Sequence, residues 1–286
     1  MGFFSKKRKD GQYVGDREKF MIIMPYILKS RTESLVYYEF EVDITNARTH
    51  MHQMRRGGES ISFFNMVVAA AVQTFAKYKR ANRFIAGRRI YQRNDIEICY
   101  TMKRELTEEG DEVTVKLAFE PTDTLSKVAE KMNSYMNFKR DDSIAGTDEK
   151  FISVLKRTPR FVISAFVGFI KFMDFYGVCP RAITSDLPFW CSLFITNMGS
   201  LGLRAPIHHL YEVGTCSMFL SMGRPEKKTV VSPNGKTSNH LSISFAISID
   251  ERIVDGFYLS RVITHFQHLL LNPENIDWGA DSFKKK

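Results

Sequence analysis

Cysteine is scarce and scattered. Cys99, Cys179, Cys191 and Cys216 are the only four, with no Cys-x-x-Cys pair and no Cys/His spacing suited to a metal. They read as reduced cytoplasmic thiols, without a strong nucleophile among them. Long apolar runs are also missing. The longest, Met66 to Ala76 and Phe161 to Ile170, are too short to span a bilayer before a charge interrupts them. No secretory signal pattern opens the sequence, and the N-myristoylation pattern fails because Lys6 occupies its Ser/Thr position. Basic residues are dispersed among acids without a nucleic-acid-binding motif. There is no internal repeat and no long Gly/Ser linker, so one main domain is the economical reading.

What is present suits a large folded core. The 286 residues are 44% hydrophobic, with 23 Phe and 11 Tyr. The formal charge of +9 sits partly in Lys6-Lys7-Arg8-Lys9 and Lys284-Lys285-Lys286, which read as solvated ends. Phe3-Phe4 beside the first cluster are the ingredients of a membrane anchor, but membrane contact by this arm is not expected. The divisions expected are a basic arm over 1–30, a catalytic-type domain over 31–276 and a polar tail over 277–286. In that tail Trp278 and Phe283 are the large apolar residues.

Alternation marks the strands. In Ser34–Thr45, Val36, Tyr38, Phe40, Val42 and Ile44 share one face. Glu97–Lys103 and Val113–Glu120 repeat the pattern. Leu241, Ile243, Phe245, Ile247 and Ile249 alternate with Ser242, Ser244, Ala246 and Ser248, a small polar face suited to a channel or another backbone. If that register persists, Glu251 continues the large apolar face. Helices are expected over Ser62–Lys79, from Leu125 to about Phe138, from Pro159 to about Phe175, and along the Leu259–Leu270 stripe that Asn272-Pro273 ends. Asp141–Lys150 reads as a loop, and the Phe-rich Phe151–Pro188 as extra core or interface packing, or else a lid or acyl pocket. Mixed strands with a few long helices imply an α+β two-layer fold, a mixed sheet packed by helices.

Three stretches carry chemistry: Leu193-Phe-Ile-Thr-Asn-Met-Gly-Ser-Leu-Gly, a Gly-Arg-x-Glu-Lys block at 223–227, and Asp250-Glu-Arg-Ile-Val-Asp-Gly. Together they resemble the catalytic domain of the dihydrolipoyl acyltransferases of 2-oxoacid dehydrogenase complexes, relatives of chloramphenicol acetyltransferase, from about Arg31 to Pro273. The resemblance implies a trimer with active sites at subunit interfaces, possible assembly into larger particles, and coenzyme A as a substrate with no resident metal. It implies that a histidine in Asp-His-Arg-x-x-Asp-Gly takes the thiol proton while a Ser or Thr hydroxyl holds the oxyanion. That hydroxyl corresponds to Thr196. Asp255 is expected to hold the turn, often through an Arg partner. Arg252, Asn197, Gly199 and Gly256 are supporting positions.

The departure is Glu251, which stands where the family has histidine. A thiol near pKa 8.5 passing its proton to a Glu near 4.3 goes uphill by about 4 units, on the order of 6 kcal/mol; an imidazole near 6.5 needs about half that. The deficit is roughly a hundredfold in rate. His208 and His209, after the Gly-rich turn, are the other candidate bases, and His240 reads as structural. No lipoyl or peripheral-subunit-binding domain accompanies the sequence. Two readings follow: an acyltransferase of weak or altered activity, or a catalytically silent oligomeric scaffold on the same fold.

Overall fold

The computed structural model describes residues 8–14, 20–103, 112–140, 158–185, 187–232 and 234–277. The expected loop at 141–150, Phe3-Phe4, the terminal lysines, Trp278 and Phe283 lie outside these residues.

A six-stranded mixed sheet forms the frame. Its strands are β2 (Leu35–Asp43), β5 (Ile96–Lys103), β6 (Glu112–Phe119), β7 (Leu193–Asn197), β8 (Met218–Val231) and β9 (Thr237–Asp250), in the order β2-β9-β8-β7-β5-β6. β7 runs parallel to both β5 and β8, and the other pairs are antiparallel. A second sheet, not anticipated, orders β1 (Gly11–Tyr13), β4 (Arg89–Arg93) and β3 (Arg83–Ala86). It draws residues of the expected arm into the fold. Arg8 is not solvated: its buried guanidinium pairs with Asp10 and Asp174 at 2.8 Å each.

Helices α3 (Phe63–Lys77), α4 (Leu125–Arg140) and α7 (Gly256–Leu271) form the second layer, joined by α2 (Thr45–Arg56), while the short α1 (Met24–Ile27) lies by the β3–β4 hairpin. The α3 start follows from Ser62 and Asn65, which cap one another reciprocally: Asn65 N–H donates to Ser62 Oγ, and Ser62 N–H to Asn65 Oδ1. Beyond that cap, Asn65 through Phe75 are all buried, as an all-round apolar helix requires. Phe40 and Phe245 stack at 5.3 Å between ring centres, and Phe266 meets both edge-on. The expected face of β9 supplies Ile243, Phe245 and Ile249 to this core. Tyr38, assigned to the buried face of β2, is 47% exposed because β2 is the sheet edge.

The small face of β9 turns out to meet backbone of its own chain. Ser248 Oγ donates to the His208 carbonyl, and Ser244 Oγ accepts from Ala205 N–H at 3.2 Å. The 203–209 loop therefore covers this face. A second apolar cluster beneath it joins Cys99, Cys191, Phe194, Cys216 and Phe219. Burial pushes the Cys191 thiol up, and a hydrogen bond to Cys191 followed by burial does the same for Cys216. Neither is a ready thiolate at neutral pH.

Helix α5 (Arg160–Phe175) starts after Pro159 as its sequence anticipates, but it is not extra core. Phe161, Phe166, Phe169, Phe172 and Phe175 are exposed, and only Ile170 and Asp174 of the helix are buried.

His265 of α7 is 7% exposed, and burial, then Lys77 and His268, push its pKa down to about 4. The unfolded chain, near 6.5, takes up the proton first as pH falls. The contribution is thus fully present above pH 6.5 and lost as pH drops toward 4, on the order of 3 kcal/mol. Urea unfolding across that window should show stability falling with pH, and His265→Gln should flatten this part of the slope.

Candidate functional site

The Asp250–Gly256 turn begins one residue earlier than the alternation predicts. β9 ends at Asp250, so Glu251 does not extend the apolar face. Glu251 opens the turn, half-buried, and its N–H donates to Ser34 O at 3.0 Å. Asp250 is fully buried, and both its oxygens receive the Arg252 guanidinium, Nε at 2.8 Å and Nη2 at 2.7 Å. Arg252 also donates from Nη1 to Leu28 O at 2.9 Å. This two-pronged geometry is the strong form of a charge pair. Arg252 thus partners Asp250 and not Asp255. Asp255 acts as the N-cap of α7, accepting from Tyr258 N–H at 2.8 Å, while Gly256 is the helix's first residue. Both ends of the turn are fixed, and Glu251 stands between them.

The second element is the turn after β7. Thr196, half-buried, lies two residues from the strand's buried Phe194, with its hydroxyl 3.7 Å from Met198 Sδ. The Asn197 side chain accepts from Ser200 N–H at 3.3 Å and closes a single 3₁₀ turn, Met198–Leu201. Gly199 is required by proximity: a Cβ there would sit 2.4 Å from Gly223 O. Gly223 is itself pressed against Ser244 Oγ and Ala205 N. The Asn-x-Gly and Gly-Arg-x-Glu-Lys blocks are thus two sides of one backbone contact. A mainly apolar cavity of about 430 Å³ opens beside them, lined by Asn197, Gly199, Phe63, Met222 and Leu241, with Arg48 as its cation.

Within one chain these two elements do not meet. Thr196 pairs with Ser221, and Ser221 with Ala246, so Thr196 is level with Ala246. Glu251 lies five residues further along β9 and two strands across, roughly 15–20 Å away at about 3.4 Å per residue and 4.8 Å per strand. The His208 ring stacks on Phe219 at 4.0 Å, and its Nδ1 lies 2.7 Å from His209 O. His240 is bound by Asp43 and by Ser238 Oγ, the latter at 2.8 Å.

Sequence reasoning did not mark Arg31, although it is central here. Its guanidinium, 6% exposed, donates to the carbonyls of Gly214 at 2.5 Å and of Tyr211, Glu212 and Ile85. Its partners are 54 to 183 positions away in sequence, and no local pattern announces such contacts.

A family model of the 2-oxoacid dehydrogenase acyltransferase catalytic domain matches residues 191–277, which contain both turns. Among solved structures, a probable dihydrolipoamide acetyltransferase from Listeria monocytogenes superposes with TM-score 0.58 at 13% identity, covering 89% of this chain and 92% of that one. An Azotobacter vinelandii dihydrolipoamide acetyltransferase, studied for a serine, a histidine and an asparagine in its catalytic mechanism, gives TM-score 0.58 at 12% identity, with 89% and 90% covered. A chloramphenicol acetyltransferase gives TM-score 0.53 at 12% identity, with 91% and 99% covered. Comparison with curated proteins gives no significant sequence match. The chain has the chloramphenicol acetyltransferase-like α+β fold, and over residues 191–277 it resembles the catalytic domain of the 2-oxoacid dehydrogenase acyltransferases.

Proposed function

We propose that the protein is a coenzyme A-dependent acyltransferase whose reaction centre is shared between copies of the chain. The observation that carries this reading is the separation of the two turns. One thioester carbonyl cannot touch Thr196 and Glu251 of the same chain when they lie roughly 15–20 Å apart. A head-to-tail ring, closing at three copies, brings the Thr196 end of one subunit to the Glu251 end of the next. The cavity beside Asn197 and Gly199 then receives the acyl carrier.

In this reading the thiolate attacks the thioester carbonyl, the Thr196 hydroxyl donates to the developing oxyanion, and the second thiolate leaves. Glu251 stands at the proton-accepting position. A carboxylate is by nature a weaker base than an imidazole, and its charge opposes an approaching thiolate. The expected activity is therefore low toward a thiol acceptor such as dihydrolipoamide. The second reading, a silent oligomeric scaffold on this fold, is favoured by the same carboxylate.

Light scattering at micromolar concentration is expected to give three times the 33.0 kDa chain mass; a stable monomer rules out the shared centre. Thr196→Val should lower any turnover by roughly 10²–10³ without altering the unfolding midpoint. Glu251→His should raise acetyl exchange between acetyl-coenzyme A and dihydrolipoamide, with Glu251→Gln as the control that removes charge without supplying a base. Equal gains from His and Gln would identify charge repulsion as the obstacle. Absence of coenzyme A binding in every variant would leave the scaffold reading standing.

A further inference from the structure

The acyl-transfer reading uses the cavity beside Asn197 and leaves a second sizeable one among the described residues without a role. The other, about 280 Å³, lies between α1, the β3–β4 hairpin, α5 and the 212–214 turn. Its walls carry Lys29, Arg31, Arg88, Lys171 and Arg252 against two carboxylates, Asp174 and Glu212. Both carboxylates already hold hydrogen bonds, Glu212 with the Arg31 N–H at 3.4 Å among them. Asp174 receives Arg8 at 2.8 Å and the Trp190 indole N–H at 3.0 Å. Glu212 receives the Thr32 hydroxyl at 2.7 Å and the Thr32 N–H at 2.9 Å.

The cationic side keeps an unmatched donor at its deepest point. The Arg31 guanidinium donates to carbonyls, its backbone N–H to Glu212 at 3.4 Å, and its Nε is buried with no partner. The largest opposing charge acting on it is Asp250, whose two oxygens are already held by Arg252. Asp250 thus acts on two buried guanidiniums, with Asp174 a smaller opposing charge on Arg31. A buried polar group without a partner is costly, and a charge so placed is an attachment point for an anion.

The mouth of the cavity is built at a further conformational cost. Gly87 and Arg88 form the two-residue β3–β4 turn, with φ of +56° and +59°. Both positions of such a turn favour Gly, Asn or Asp. Arg88 occupies the second, exposed, with its guanidinium 5.7 Å from the Tyr26 ring. Lys171, also exposed, faces the cavity from α5. Between these cations the wall is apolar, from Pro25, Ile85, Phe175 and Trp190.

We propose that this cavity binds the oxyanion group, phosphate or carboxylate, of a small organic ligand, separately from the groove beside Asn197. Arg31 and Arg252 form its floor, and Lys171 and Arg88 its rim. An apolar body on the ligand packs against Trp190 and Phe175. The inference stands without the acyltransferase reading, since it requires no transfer step.

The test titrates inorganic phosphate, acetate and benzoate against the full chain, reading the thermal midpoint and calorimetric heat with chloride at matched ionic strength as the control. Saturable stabilisation by at least one oxyanion beyond chloride is expected. Phosphate as the best ligand marks a phosphate site, and benzoate above acetate marks an aryl carboxylate site. The exposed pair Arg88→Ala/Lys171→Ala should leave the ligand-free midpoint unchanged and weaken binding at least ~tenfold. Arg31→Lys, keeping the charge but not the fork, should weaken it further. Stabilisation no greater than chloride, or binding unaffected in the double variant, overturns the proposal. So does full competition by coenzyme A, which would assign the cavity to the acyl carrier.

Discussion

The Asp250–Arg252 pair is the constraint on which the rest of this end of the molecule depends. Asp250 has no exposed surface, and Arg252 is 3% exposed. Removing either partner would strand a charge inside the protein, at about 3–5 kcal/mol for pairs of this type. The pair also joins distant parts of the chain. Arg252 reaches Leu28 just past α1, and the next residue back, Glu251, binds Ser34 at the start of β2. Arg31 extends the knot to the 211–214 turn and to β3. The 28–34 segment is thereby fixed between the motif turn, the second sheet and the 211–214 turn.

Register does the corresponding work at the other end. The parallel β7–β8 pairing places Thr196 beside Ser221, and the antiparallel β8–β9 pairing carries that level to Ala246. The register slips between Met222 and Pro225, where β8 bends at Gly223 to admit the Gly199 turn. Serine and alanine on β9's second face keep the sheet thin enough for the 203–209 loop to lie directly on it. The loop's position is thus a consequence of small side chains, and it leaves the two turns at opposite ends of the strands.

Much of this was legible in the sequence because it is periodic. Alternation located β2, β5, β6 and β9, one-sided stripes located α4 and α7, an all-round apolar run located α3, and Pro159 marked the start of α5. The turn after β7 was legible as a motif because close approach needs glycine at 199 and at the facing 223. Elements decided by long-range partners were not. The second sheet uses strands of three to five residues, too short for a period to register. Arg8 reads as one more tail cation until Asp10 and Asp174 are seen around it. Apolar α5 reads as core or interface packing, and nothing local reveals that most of its phenylalanines face outward. Whether Asp250 or Glu251 points inward turned on a single residue of strand length, which alternation alone does not resolve.

That single residue decides what kind of position 251 is. Had the strand continued, a side chain at 251 would pack in the apolar face, and exchanging it would disturb the core. Instead the backbone on each side is held by groups other than the Glu251 side chain: the Ser34 carbonyl, the Asp250–Arg252 fork and the Asp255 cap. The turn's geometry is therefore over-determined without residue 251. A carboxylate, an amide or an imidazole there would stand on the same backbone and differ mainly in charge and basicity. Residue 251 can therefore be exchanged at little structural cost, whereas Asp250, Arg252 and Asp255 are bound to the fold itself. Those three argue for the architecture, and a change at 251 tests the chemistry with the backbone held constant.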